Sequence, residues 1–166
     1  MKSNSILLIV LFLCFGLTAQ EFTVPANVSF ESEADYINQE QQVLSAINWL
    51  MSTPVSEQQD KRKAVNAYLM QWMTGTPNVT IEISQAVVPF MECADCLMAF
   101  LSGWTKYSLE NEYSKDRVAG ALAGVTHTIA FYELNKKALG RNAELEKLIK
   151  KQKKGELESH IQSVLN

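Results

Sequence analysis

The sequence predicts an all-α fold: a single-domain bundle of about five to six helices, with one short extended segment near residues 78–84. Three observations predict it. Apolar residues recur at spacings of three and four in several separate stretches, which puts them on one face of a helix. Those stretches open on Ser or Asn and stop at Gly or Pro, the residues that cap and break helices. Only one stretch alternates as a half-buried strand does.

In chain order, residues 21–31 read as an extended leader, and a single helical domain runs over 32–166. Ser32 opens the first helix, with Asp35 at capping-box spacing. Ile37, Leu44, Ile47 and Met51 share its core face, with Tyr36, Val43 and Leu50 flanking, and Pro54 ends it. The second helix starts from a Ser56 cap with Gln59 completing the box. Val65, Tyr68, Leu69, Trp72 and Met73 form its stripe. Gly75 is expected just past its end, in left-handed backbone, with Pro77 after it. Val79, Ile81 and Ile83 then alternate with Thr80 and Glu82. A lone strand has no ladder partner, so the expectation is an extended connector over the core or a very short strand.

A third helix is expected from Pro89, a good first helical residue. Its stripe is Phe90, Leu97, Phe100, Leu101, Trp104 and Leu109, and Gly103 within it predicts close approach by another backbone. The fourth opens at Ser114. Gly120, Ala121, Ala123 and Gly124 give it a small-residue face for a tight crossing, while Val118, Leu122, Val125, Ile129 and Tyr132 fill the rest of the stripe. Gly140 ends it, Asn142 caps a short basic helix closing at Gly155, and Leu157, Ile161 and Val164 make a last apolar contact.

The chain begins with Lys2, an apolar run over Ile6–Leu17, and then Ala19 and Gln20. A charged start, a short apolar core and a small residue are the parts of a secretory signal peptide. Residues 1–20 are therefore expected to be cleaved, leaving no stable membrane span, because spanning needs about 20 apolar residues. The expected location is bacterial: periplasmic or extracellular.

About 146 residues would remain, enough for one domain with its own core. Losing Lys2 moves the formal net charge from −3 to −4. A mildly acidic balance excludes general nucleic-acid binding. Seven acids and no Lys or Arg lie over 21–60, whereas eight basic residues crowd 136–154 around Glu144 and Glu146. Both runs read as solvated helix faces, with a basic patch for an anionic surface as the functional alternative.

The stretch MECADCLM, 91–98, carries the most chemistry. In an exported protein two cysteines default to a disulfide, and Cys93 and Cys96 are the candidate pair. Residues i and i+3 of a helix lie within bridging range. A four-residue ring removes little chain entropy, on the order of 2 kcal/mol. Three other readings stand beside it: two small core residues, a redox pair, or a soft-metal site. Thioredoxin-like C-x-x-C pairs get their reactivity from a helix N-terminus and a surrounding βαβ unit; here no βαβ unit is readable and no cis-proline strand follows. M-x-C-x-x-C resembles the Cu(I) motif of ferredoxin-like copper chaperones, and Met91 and Met98 supply soft sulfur. Here Phe90 stands where that family has Gly, and helix follows the motif.

Zinc would need His127 and His160 beside the cysteines; His127 lies in an apolar helix and reads as a packing residue. Glu110, Glu112 and Asp116 read as surface acids at a helix junction. No phosphate loop, nucleophile elbow or H-E-x-x-H is present. No residue is assigned to a catalytic, cofactor or metal site. Asn27 and Asn78 match glycosylation acceptors, which matter only in a eukaryotic secretory pathway.

YINQEQ, INWLMSTP, YLMQWMTGTPNVTIEI, LSGWTKYSLEN and FYELNK run across most of the chain. In this overall pattern it resembles a group of small exported all-α bacterial proteins of unassigned function. The resemblance implies a helical fold and carries no activity, and the cysteines are not part of the group's pattern.

The reading is an exported helical domain that works through binding or interaction with a protein partner rather than as an enzyme, with no cofactor. A thiol redox or Cu(I)-binding protein using Cys93 and Cys96 is the first alternative. A periplasmic immunity or inhibitor protein, small, acidic and helical, is the second.

Overall fold

The structure is a computed structural model that describes residues 22–165. The expected signal peptide, residues 1–20, lies outside the described residues. Among them the chain forms six helices and no strand: α1 Glu33–Ser52, α2 Gln59–Gly75, α3 Ala94–Glu110, α4 Arg117–Leu139, α5 Ala143–Lys153 and α6 Leu157–Leu165. The all-α bundle is as the sequence predicts, and 76–84 is an extended connector.

The leader is not loose. Phe22 is buried, and the Phe30 ring stacks on Tyr36 at 4.9 Å. Ser32 then starts α1 by donating its backbone N–H to Asp35 Oδ2 at 2.8 Å, with its hydroxyl donating to the same oxygen. Those bonds, led by the Ser32 backbone, hold the Asp35 carboxyl below its ordinary range. The helix buries Val43, Ala46, Ile47, Trp49 and Leu50. Its buried face is rotated from the expected one: Ile37 is 43% exposed and Val43 and Leu50 sit at the centre.

The start of α2 also differs. Ser56 is not its cap; Gln58, in left-handed backbone at φ 46°, precedes Gln59 as the first helical residue. At its other end Gly75 is the last helical residue, and the cap is Thr76 at φ −64°. The glycine serves close approach: an added Cβ would sit 1.9 Å from Tyr36 Oη.

Residues 84–92 form turns that bury Val87, Val88 and Phe90 ahead of α3. The third helix therefore starts five residues after Pro89, with Cys93 as its N-cap. The fourth is capped by Asp116, which accepts from the Val118 and Ala119 N–H groups, rather than by Ser114. The ends of α4 and α5 follow the sequence: Gly140 stops one at φ 75°, and Asn142 Oδ1 accepts from Glu144 N and Leu145 N at 3.1 Å.

The bundle has two apolar clusters. Phe22, α1, α2 and Val79 make one. The other joins the 87–90 turns to α3, α4, α5 and α6. Met73, Ile81 and Met98 touch both. Val79 is buried but Ile83 is 51% exposed, so the alternating segment covers the core with its first half only. Glu82 instead pairs with Arg117 at 2.6 Å. Asn135 fastens α4 to the α1–α2 loop by accepting Val55 N–H at 3.0 Å.

The closest packing is between α3 and α4. A Cβ on Gly103 would meet His127 Cβ at 2.4 Å, and one on Gly124 would meet Phe100 Cδ2 at 2.7 Å. The small-residue face does what its composition predicts: it lets two backbones and two aromatic side chains occupy space that any side chain would fill.

Candidate functional site

Two places among the described residues combine polar groups with an open or reactive feature, and α3 contributes to both. The first is a groove of about 520 Å³ along the outer seam of α3 and α4. Gly103 lets the helices approach closely, and Ala119, Ala123 and Ala130 stand among larger residues on the α4 side of the open seam. Lys106, Tyr107 and Glu110 project from α3, and Leu122 and His127 from α4. Lys106 and Glu110 pair at 2.8 Å across one helical turn.

His127 sits at the floor against Gly103. Its Nε2 is buried with no partner among the described residues. Burial, and then the nearby Lys106 charge, push its imidazole down to about 4, against a smaller opposing pull from Glu110. At neutral pH the ring is therefore neutral: an apolar wall with one unused polar atom. This extends the packing role that the sequence suggests.

The second place is the cysteine pair. Cys93 and Cys96 are joined as a disulfide across Cα atoms 5.1 Å apart. Cys93 is the N-cap of α3, and its Sγ accepts the Cys96 N–H at 3.3 Å. Cys96 is fully buried against α4, while Cys93 is half-buried at the surface. Between them Asp95 lies near Arg62, a buried guanidinium that donates to the Thr53 carbonyl. Burial lowers the Arg62 pKa, and Asp95 offsets part of that.

The other candidate residues are dispersed. His160 is on α6, His127 is on α4, and the cysteines stand at the start of α3. Among the described residues, no three His, Cys, Asp or Glu side chains gather in a way that could hold a metal ion. Of the three junction acids, Glu110 pairs with Lys106, Asp116 caps α4, and Glu112 is exposed at φ 53°. No helix among the described residues is long and apolar enough to cross a membrane. The groove was not anticipated as a site. Its signal was there in Ala119, Ala123 and Ala130, small residues at helical spacing on the half of α4 that does not face the core.

Comparison with family models, with curated proteins and with solved structures finds no match.

Proposed function

We propose that this chain is an exported helical binding domain, one of the small exported bacterial proteins it resembles, and that it acts by contact with a protein partner rather than by turning over a substrate. The observation that carries this reading is the α3–α4 groove. Its walls are fixed by glycine-mediated packing, so a ligand meets a preformed surface and pays little ordering cost. It is open along its length, which suits a segment of another chain better than an enclosed small molecule. Leu122 and Tyr107 offer apolar and aromatic contact, and the Lys106–Glu110 pair presents one charge of each sign at the rim. A mainly apolar peptide segment fits that lining better than a strongly charged one.

A photo-crosslinking residue at Ala130, in the groove, tests the reading in cells that export the protein. The expected result is a discrete protein adduct that is absent when the same residue is placed at exposed Lys154, and that Leu122→Glu abolishes. An adduct pattern identical at both positions overturns the groove as the contact surface. Cell fractionation tests export: protein retained in the cytoplasm with residues 1–20 attached rules it out.

A further inference from the structure

We infer that Cys93 and Cys96 form an exchangeable dithiol–disulfide couple, with Cys93 as the attacking and attacked sulfur and Cys96 as the resolving one. This goes beyond the binding reading and does not depend on the groove. Three features of the pair support it.

The first is position. Cys93 occupies the N-cap of a 17-residue helix, where serine or aspartate is usual, and its sulfur already accepts the Cys96 N–H at 3.3 Å. Unpaired N–H groups and the helix dipole at that end favour negative charge, so the same contact stabilises a Cys93 thiolate once the bond is opened. Glu92 precedes Cys93 and Asp95 lies between the two cysteines, and both oppose that charge. Buried Arg62, close to Asp95, offsets that one of the two acids.

The second is asymmetry. Cys96 is fully buried, and its carbonyl lies 3.5 Å from the Thr128 hydroxyl of α4. Cys93 reaches the surface. An incoming thiolate can approach one sulfur only, as in-line exchange requires.

The third is that the bond holds little in place. Its ring spans three residue steps that the first turn of α3 already fixes, with Leu97 N–H donating to the Cys93 carbonyl at 2.9 Å. A cross-link of that size constrains the unfolded chain weakly. Reduction therefore leaves α3 and its contacts with α4 standing.

In the reduced protein the Cys93 thiolate attacks one sulfur of a disulfide R–S–S–R, forming a Cys93–S–S–R bond and releasing RS⁻. The Cys96 thiol loses its proton to solvent. Its sulfur then attacks Cys93 Sγ, closing the Cys93–Cys96 bond and releasing a second RS⁻. One disulfide is reduced, one is formed, and two electrons pass from the protein to the substrate. The reverse sequence reduces the protein at the expense of two substrate thiols.

The test is made on the full exported chain. After reduction, the alkylation rate of Cys93 by iodoacetamide is followed against pH by peptide mass analysis. The expected midpoint lies below the ordinary thiol value of about 8.5, with a rate at pH 6 at least about tenfold above that of free cysteine. Equilibration of the wild-type chain in glutathione buffers of graded ratio should give two interconverting forms, both with the helical circular dichroism of the oxidised chain. Cys96→Ser should trap a mixed disulfide at Cys93; if that variant does not fold, the wild-type equilibrium alone decides. A glutathione adduct without insulin reduction assigns the couple to small thiols, and insulin reduction assigns it to protein disulfides. A Cys93 that alkylates like free cysteine, with a disulfide that opens only when the fold is lost, overturns the inference.

Discussion

Gly124→Ala is the sharpest test of the α3–α4 crossing on which the groove depends. The added methyl would lie 2.7 Å from Phe100 Cδ2, 2.8 Å from its Cε2 and 2.9 Å from its backbone oxygen. The ring is fully buried and in edge contact with Trp104 at 5.8 Å, so it has nowhere to swing, and the oxygen belongs to the α3 backbone. Relief requires the helices to part by several tenths of an ångström along their whole contact. Overpacking of that kind costs about 1–3 kcal/mol. Alanine in place of glycine within a helix returns about 1 kcal/mol of propensity. Taking the upper half of the overpacking range, because neither obstacle can yield, the net loss is about 1–2 kcal/mol, or roughly 3–8 °C in Tm at this chain length. Urea denaturation followed by circular dichroism measures it. Ala130→Gly, exposed on the same helix, calibrates the propensity contribution. A Gly124→Ala protein more stable than wild type would mean that the helices do not touch there, and the packing argument for the groove would fall with it.

Three further outcomes follow from particular residues. His127 favours its neutral form in the fold, at about 4 against 6.5 unfolded, so its contribution is present above pH 6.5 and is lost as pH falls towards 4. Wild type minus His127→Gln, compared by urea denaturation at pH 7 and pH 5, should show wild type losing about 2 kcal/mol more than the variant; parallel losses would place the ring in solvent. Asn142→Ala removes the one oxygen that accepts the Glu144 and Leu145 N–H groups at the start of α5 and should cost about 1 kcal/mol, read from the same denaturation curves. Leu145→Ala, at the fully buried position in the first turn of that helix, should cost about 2–5 kcal/mol, and an effect below 1 kcal/mol would mean that α5 is not docked on the core.

What could be read from the sequence was local. Ser32 with Asp35, Asn142 and Gly140 act on neighbours within four residues, so their roles survive any tertiary arrangement. Ser56 and Ser114 carry the same local signal, yet Gln58 and Asp116 took the caps, because both loops had to place other residues: Val55 against Asn135, and Tyr113 against Glu40 at 3.0 Å. Pro89 failed as a helix start for a different reason. Val87, Val88 and Phe90 are buried by turns rather than by a helix, and apolar content alone does not separate the two. Gly75 shows the same limit, since a glycine demanded by a neighbouring ring looks no different in sequence from one demanded by a left-handed turn.

That late start of α3 is what gives the cysteines their chemistry. Had the helix begun at Pro89, Cys93 and Cys96 would both lie in its second turn, with their N–H groups committed to carbonyls four residues back. Both sulfurs would then be small groups on a packed face. Beginning at Ala94 instead leaves the Cys96 N–H without a helical acceptor, and the Cys93 sulfur takes that place. Phe90 precedes the helix, fully buried and edge-on to Phe100 at 6.4 Å, and its carbonyl accepts the Cys93 N–H at 2.9 Å in the turn that leads to the cap. An anchored ring at this point would hold Cys93 at the cap position. Phe90→Ala should therefore do more than open a cavity. It should reduce the difference in alkylation rate between the two reduced thiols, and an unchanged difference in a folded Phe90→Ala protein would show that the cap forms without it.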